Sequence, residues 1–187
     1  VIAGWINGRM KADNCRVREQ GKEMKMELFN LKGKTAVVLV GSGVLGAAMS
    51  AGLAEAGARV AICGTRHEKA EAVAADCRRF GTDCRAYAVD AGSKIALETL
   101  ARHIAADFGG VDILVNGVGG NRKEASSNPT LQPPVTFFDI DPEAVGEVMH
   151  LNLMAGAVLP CQVFGKWMAD SPTGGVIINV TSMNAFR

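Results

Sequence analysis

One hexapeptide constrains this chain more than any other feature. Gly41-Ser42-Gly43-Val44-Leu45-Gly46 follows directly on residues 35–40, a short and mostly β-branched apolar run, and opens residues 45–56, whose apolar positions recur at helical spacing up to Gly57. Glycines between a strand and a helix permit a tight turn. They also let the backbone approach a pyrophosphate at the helix N-terminus, where free N–H groups and the helix dipole favour negative charge. A GxGxxG alone is met in ordinary flexible loops; set between a strand and a helix, it specifies far more.

The same alternation continues along the chain. Residues 59–63 read as a second strand, residues 68–79 as a polar-faced helix closing near Gly81, and Cys84–Ala88 as a third, weaker strand. Lys94–Phe108 places Ile95, Leu97, Leu100, Ile104 and Phe108 broadly on one face and stops at Gly109-Gly110. Residues 113–115 form a fourth strand. Asp141-Pro142-Glu143 is a strong helix start, with Asp as cap, Pro at the first position and Glu at the positive end of the dipole. That helix is expected to reach about Phe164 with a kink near Pro160, and residues 176–180 to form a buried fifth strand. Alternation of this kind implies an α/β fold: a doubly wound parallel sheet of Rossmann type, with helices on both faces. The fold is expected to be incomplete at the C-terminus, because a buried strand so close to the last residue lacks its covering helices.

Composition narrows the function classes. Of 187 residues, 48% are hydrophobic and 21% charged, which is globular composition, and a formal charge of +1 gives no electrostatic case for nucleic acid. The apolar stretches are strand-length or interrupted, so no membrane span is expected. Five cysteines (Cys15, Cys63, Cys77, Cys84, Cys161) without a CxxC pair read as reduced thiols of a cytoplasmic protein. His67, His103 and His150 share no metal-ligand spacing, so no metal is expected. Residues 1–27 read as a leader or disordered arm, with the natural start at Met24 or Met26, and residues 28–187 as the nucleotide-binding domain.

In such a sheet, ligands bind beyond the carboxyl ends of the strands. The second strand leads into Cys63-Gly64-Thr65-Arg66, without an acid. A carboxylate there would hold the ribose hydroxyls of NAD, whereas Arg66, with Thr65, favours the 2′-phosphate of NADP. A solvated Arg opening the next helix is the other reading. Asp90 follows the third strand, placed to contact the adenine or to cap a turn. Asn116-Gly117-Val118-Gly119-Gly120 makes a second glycine-rich strand end.

On these residues the sequence resembles the short-chain dehydrogenase/reductase family from Leu31 to Arg187. Val115-Asn116-Gly117-Val118-Gly119 is similar to its Asn-Asn-Ala-Gly motif, and Leu151-Asn152-Leu153 to the segment bearing its structural and catalytic Asn. Ile178-Asn179-Val180-Thr181-Ser182 is similar to the strand carrying the catalytic Ser, and Asp90 matches the family's adenine-contacting Asp. The first loop departs from the family's TGxxxGxG: aligned on Gly46, Leu39 stands at the Thr, Val40 at the first Gly and Val44 at the second, which predicts a different loop path. Gly119-Gly120-Asn121, Thr136-Phe137-Phe138-Asp139 and Ser182-Met183-Asn184-Ala185-Phe186-Arg187 resemble bacterial sugar-acid members of the fructuronate/mannonate oxidoreductase kind.

The resemblance implies hydride transfer between a nicotinamide and a carbonyl or alcohol carbon, perhaps of a sugar acid, with NADP as cofactor and NAD as the alternative. Ser182 would hydrogen-bond the substrate oxygen and Asn152 would hold a relay water. The family's Tyr and Lys would follow on the next helix, which this chain does not reach. Activity is therefore expected of a longer parent, a homo-oligomer by the same resemblance, and not of these residues alone. A non-catalytic NADP-binding module and an inactive fragment are the competing readings.

Overall fold

The computed structural model describes residues 29–40, 42–127 and 134–181. The expected leader and the whole of Ser182–Arg187 lie outside these residues, as does Gly41. Five parallel strands form one sheet: β1 (Thr35–Leu39), β2 (Arg59–Gly64), β3 (Cys84–Ala88), β4 (Ile113–Asn116) and β5 (Val176–Asn179), in the order β3-β2-β1-β4-β5. Between them run α1 (Val44–Glu55), α2 (His67–Cys77), α3 (Lys94–Phe108) and a long helical crossover. This is the doubly wound arrangement, with its reversal of strand order between β1 and β4.

The central strands are apolar between their ends because both sheet faces are covered. Successive side chains point to opposite faces. On one face Val37, Leu39, Ala61, Cys63 and Leu114 pack with Leu97, Leu100, Ile104 and Phe108 of α3 and with Val163, Phe164 and Met168. On the other, Ala36, Val38, Val60, Ile62, Ile113 and Val115 meet Ala54, Ala70, Ala74 and Cys77. α1 buries Gly46, Ser50 and Ala54, and α2 buries Ala70, Ala74 and Cys77, all small, so these helices lie close against the strands. Cys63, Cys77, Cys84 and Cys161 are all free.

Two expectations need correction. The crossover does not end near Phe164 but runs on to Asp170. It comprises α4 (Pro142–Met149), a π-helical segment (His150–Val158) and α5 (Leu159–Asp170). Proline removes one helical N–H and crowds the carbonyl four residues back. Here wider turns precede Pro160, with the Leu159 N–H bonded to the Met154 carbonyl, and helix continues on both sides of the proline. Residues 142–170 are in fact long and apolar enough to cross a bilayer by length and composition alone. Their buried residues Ala144, Ala155, Val163, Phe164 and Met168 are accounted for by the crossover role. The second correction concerns β5, which is exposed along its whole length instead of buried. Among the described residues it pairs with β4 alone, and a β-branched run specifies a strand without saying which other elements cover it.

Candidate functional site

The carboxyl ends of β1, β2 and β3, the loop after β4 and the start of the π segment enclose a cleft of about 250 Å³. Ser42, Gly43, Thr65, Arg66, Asp90 and Val118, all expected at a ligand site from the sequence, line it together. Gly43 caps α1 in extended conformation without any side-chain cap, so the first N–H groups of α1 are left for an incoming anion. Gly46 is buried beneath that turn, while Val44 and Leu45 point outward at 94% and 60% exposure and do not form the wall.

Close approach explains why β2 ends in glycine. A Cβ on Gly64 would stand 2.8 Å from the Ser42 hydroxyl, so the first loop folds directly over the end of β2. Arg66 then precedes α2 as its N-cap residue, exposed and without an ion pair among the described residues. Asp90 is the one carboxylate lining the cleft. Its Oδ1 accepts the Gly92 N–H at 2.9 Å, so it shapes a turn and also faces the cleft.

The departure at the first loop has a structural signature. Val40, standing where the family motif has glycine, adopts φ +68° and is the one non-glycine residue with positive φ among those described. A β-branched side chain in the left-handed region is strained. The strain falls on the cleft wall itself, since Val40 lines it.

The β4 end is held by amides. Asn116 is buried and donates to Asn179 Oδ1 at 2.8 Å, which ties β4 to β5, while its own Oδ1 has no hydrogen-bond partner. Its side chain is therefore committed to the sheet and not to the cleft wall. Gly117 sits beneath the Leu39 carbonyl. Asn152 clamps the next loop from the π segment: its Oδ1 accepts the Gly120 N–H and its Nδ2 donates to the Gly120 carbonyl, both at 2.8 Å. A Cβ on Gly119 would stand 2.7 Å from that Oδ1, which leaves no side chain admissible without displacing the clamp. Ser182, the expected substrate-orienting residue, lies outside the described residues.

Several lining residues escaped the sequence reading. Val40, Gly64, Val89, Ala91 and Gly92 flank strand ends and were within reach of it. Leu151 and Ala155 come from the π segment, and only the packing of the crossover reveals which helical face meets the cleft. Cys63 lies at the cleft floor, where burial pushes its thiol far above the range of a reactive thiolate. Tyr87, the chain's only tyrosine, donates to Asp107 at 2.6 Å, and burial followed by this bond raises its phenol. It stands against α3 and contributes nothing to the cleft. Among the described residues no three His, Cys, Asp or Glu side chains gather as metal ligands.

Fold and cleft together define an α/β protein of Rossmann type with its ligand position beyond the carboxyl ends of the strands. The short chain dehydrogenase family matches residues 34–187. An oxidoreductase of Bacillus subtilis (strain 168), UxuB, itself uncharacterised, is 40% identical over 163 residues, covering 84% of this chain and 57% of its own length. The D-threitol dehydrogenase of Mycolicibacterium smegmatis is 34% identical over 167 residues, 89% of this chain and 59% of that enzyme. A Haemophilus influenza protein described as a candidate D-mannonate oxidoreductase, crystallised with bound NAD, superposes with TM-score 0.78 at 32% identity, covering 87% of this chain and 59% of that one. The chain belongs to the short-chain dehydrogenase family, and it spans somewhat under three fifths of the length of these relatives.

Proposed function

We propose that this chain supplies the dinucleotide-binding and substrate-orienting part of an oxidoreductase that prefers NADP, with NAD as its weaker alternative. The observation that carries the cofactor preference is Arg66 just after β2, without an ion pair among the described residues and lining a cleft whose single carboxylate, Asp90, follows β3. The Ser42 and Thr65 hydroxyls stand on the same wall and suit a 2′-phosphate. The α1 N-terminus suits the pyrophosphate, and Asp90 the adenine.

When bound, the cofactor accepts or donates a hydride at nicotinamide C4. The reaction interconverts an alcohol and oxidised cofactor with a carbonyl, reduced cofactor and one proton. Ser182 would hydrogen-bond the substrate oxygen, and Asn152 would hold the loop after β4 in place for the same chemistry. A sugar acid or related polyol is the proposed substrate class. Its support is the motif resemblance in residues 119–121 and 136–139 and the names of relatives acting on threitol, xylitol or mannonate.

Calorimetric titration with NADPH and NADH tests the cofactor reading. Tighter binding of NADPH is expected, and Arg66→Ala should cost NADPH about tenfold or more while leaving NADH nearly unchanged. Equal affinities in the unsubstituted chain, or a parallel loss of both, would refute the assignment of Arg66. Saturable binding with no turnover of any polyol or sugar acid by the longest natural form of the protein would favour the binding-module reading.

A further inference from the structure

We propose that the ion pair between Arg122 and Glu147 positions the loop after β4 for the nicotinamide half of the dinucleotide, and so sets how well that half is bound. The proposal rests on the dinucleotide reading of the cleft. Neither residue lines the cleft, and neither belongs to a motif that carries the family resemblance.

The loop lies along the crossover helix as a strap, and its contacts descend that helix in order. The Val118 carbonyl passes so close over Gly156 that any Cβ there would meet it at 2.7 Å. Asn152 then holds both backbone groups of Gly120. Arg122, in extended conformation, pairs through Nη1 with Glu147 of α4. A single 3-10 turn follows, and the Glu124 carbonyl accepts the N–H of Asp141, the residue that caps α4, at 3.1 Å. Gly119 and Gly120 lie between the cleft wall and the ion pair. Neither has a side chain to hold it, and glycine loses more freedom on ordering than any other residue, so this stretch depends on fasteners outside it. Asn152 is one fastener; Arg122, two residues beyond Gly120, is the next.

The sheet order separates the two halves of the ligand. Arg66 and Asp90 follow β2 and β3, where the proposed reading puts the 2′-phosphate and the adenine. The pyrophosphate lies beyond β1, so the nicotinamide half falls toward β4, where Val118 lines the cleft. The Arg122 and Glu147 side chains are 53% and 60% exposed, so their pairing adds little to global stability. Its effect falls on the fraction of molecules whose loop is already in place. A ligand that needs the loop binds more weakly in proportion as that fraction drops, and a ligand that does not reach the loop is unaffected.

The test compares NADPH with adenosine 2′,5′-bisphosphate, which lacks the nicotinamide half. Both are titrated calorimetrically into the unsubstituted chain, Glu147→Gln, Arg122→Gln and the exchanged pair Arg122→Glu with Glu147→Arg, with thermal melts to confirm folding. Each single substitution should weaken NADPH about threefold and leave the bisphosphate unchanged. The exchanged pair should recover most of the loss. If it does not fold, Arg122→Lys, which keeps the charge and one donor to Glu147, takes its place and should retain most of the NADPH affinity. An unchanged ratio of the two affinities, a parallel change in both, or no recovery would overturn the positioning role while leaving the cleft a dinucleotide site. Binding of neither ligand to the unsubstituted chain would overturn the dinucleotide reading and this proposal with it.

Discussion

The two ends of the sheet carry cavities of opposite character. At the amino ends of the strands, a groove of about 680 Å³ opens between the turn after α3 and the end of α5. At the carboxyl ends the cleft measures about 250 Å³. Size alone would choose the groove. Yet most of its polar groups already have partners: Lys166 pairs with Asp170 at 3.3 Å, Asp112 with Lys34 at 3.0 Å and with the Thr35 N–H at 2.8 Å, and Arg59 Nη2 with the Thr35 hydroxyl at 2.8 Å, with Arg59 Nε alone left without one among them. In the cleft stand a helix N-terminus without a side-chain cap, a strained Val40 and an Arg66 without an ion pair among the described residues. On the proposed reading, the comparison teaches that polar groups at the amino end mostly serve the fold, whereas those at the carboxyl end are kept for a ligand.

Substitutions can break that division. Phe108 lines the groove but is buried in the core, packed in the same cluster as Leu97, Leu100 and Ile104. Phe108→Ala should lower the unfolding free energy by about 3–5 kcal/mol in denaturant titration, with dinucleotide affinity per folded molecule unchanged. A loss of affinity under conditions where the variant is fully folded would show that the two ends are coupled. Asn152→Ala, which removes the clamp on Gly120, should cost about 1–3 kcal/mol and also weaken dinucleotide binding, since Val118 of the same loop lines the cleft. Stability lost with affinity intact would move Asn152 to the structural side of the comparison.

Val40→Gly should act in the opposite sense. Relief of a left-handed β-branched residue is worth about 1–2 kcal/mol, offset in part by the greater freedom of glycine in the unfolded chain, for a net gain of up to about 1 kcal/mol. A destabilised variant would mean that the conformation at Val40 costs nothing. The smallest effect concerns the turn Phe137–Asp139 ahead of α4. There the Thr136 hydroxyl and N–H bond the Asp139 carboxylate at 2.5 and 3.0 Å and hold its pKa below the ordinary value. With the native value depressed, the contribution of this box is present at neutral pH and is lost as pH falls from the ordinary aspartate range through the lower native value. An NMR titration of Asp139 should give a midpoint below that of an unfolded reference; a midpoint at or above the reference would refute the box.

Most of the architecture was legible because period and punctuation agree. Cys84–Ala88 and Lys94–Phe108 have the bounds that their patterns indicate, and Gly109 closes α3 in left-handed conformation as a glycine stop should. The π segment escaped the reading because it has no distinct periodicity in so short a stretch. β5 was legible as a strand but its exposure was not, because Val176, Ile177 and Ile178 read the same whether or not other elements cover them. At the cleft, residues just after strands could be named from order alone. Leu151 and Ala155 could not, since only the rotation of the crossover helix brings that face to the cleft. The commitment of Asn116 to Asn179 was equally hidden, because it depends on which strand lies beside β4.

Amide chemical-shift mapping during titration with NADPH tests the division between the two ends most directly. The account predicts shifts at Ser42, Gly43, Thr65, Arg66, Asp90, Gly92 and Val118, with Gly109, Gly110, Ser171 and Thr173 of the amino-end groove unmoved. Shifts confined to the groove, or none anywhere at saturating ligand, would contradict it.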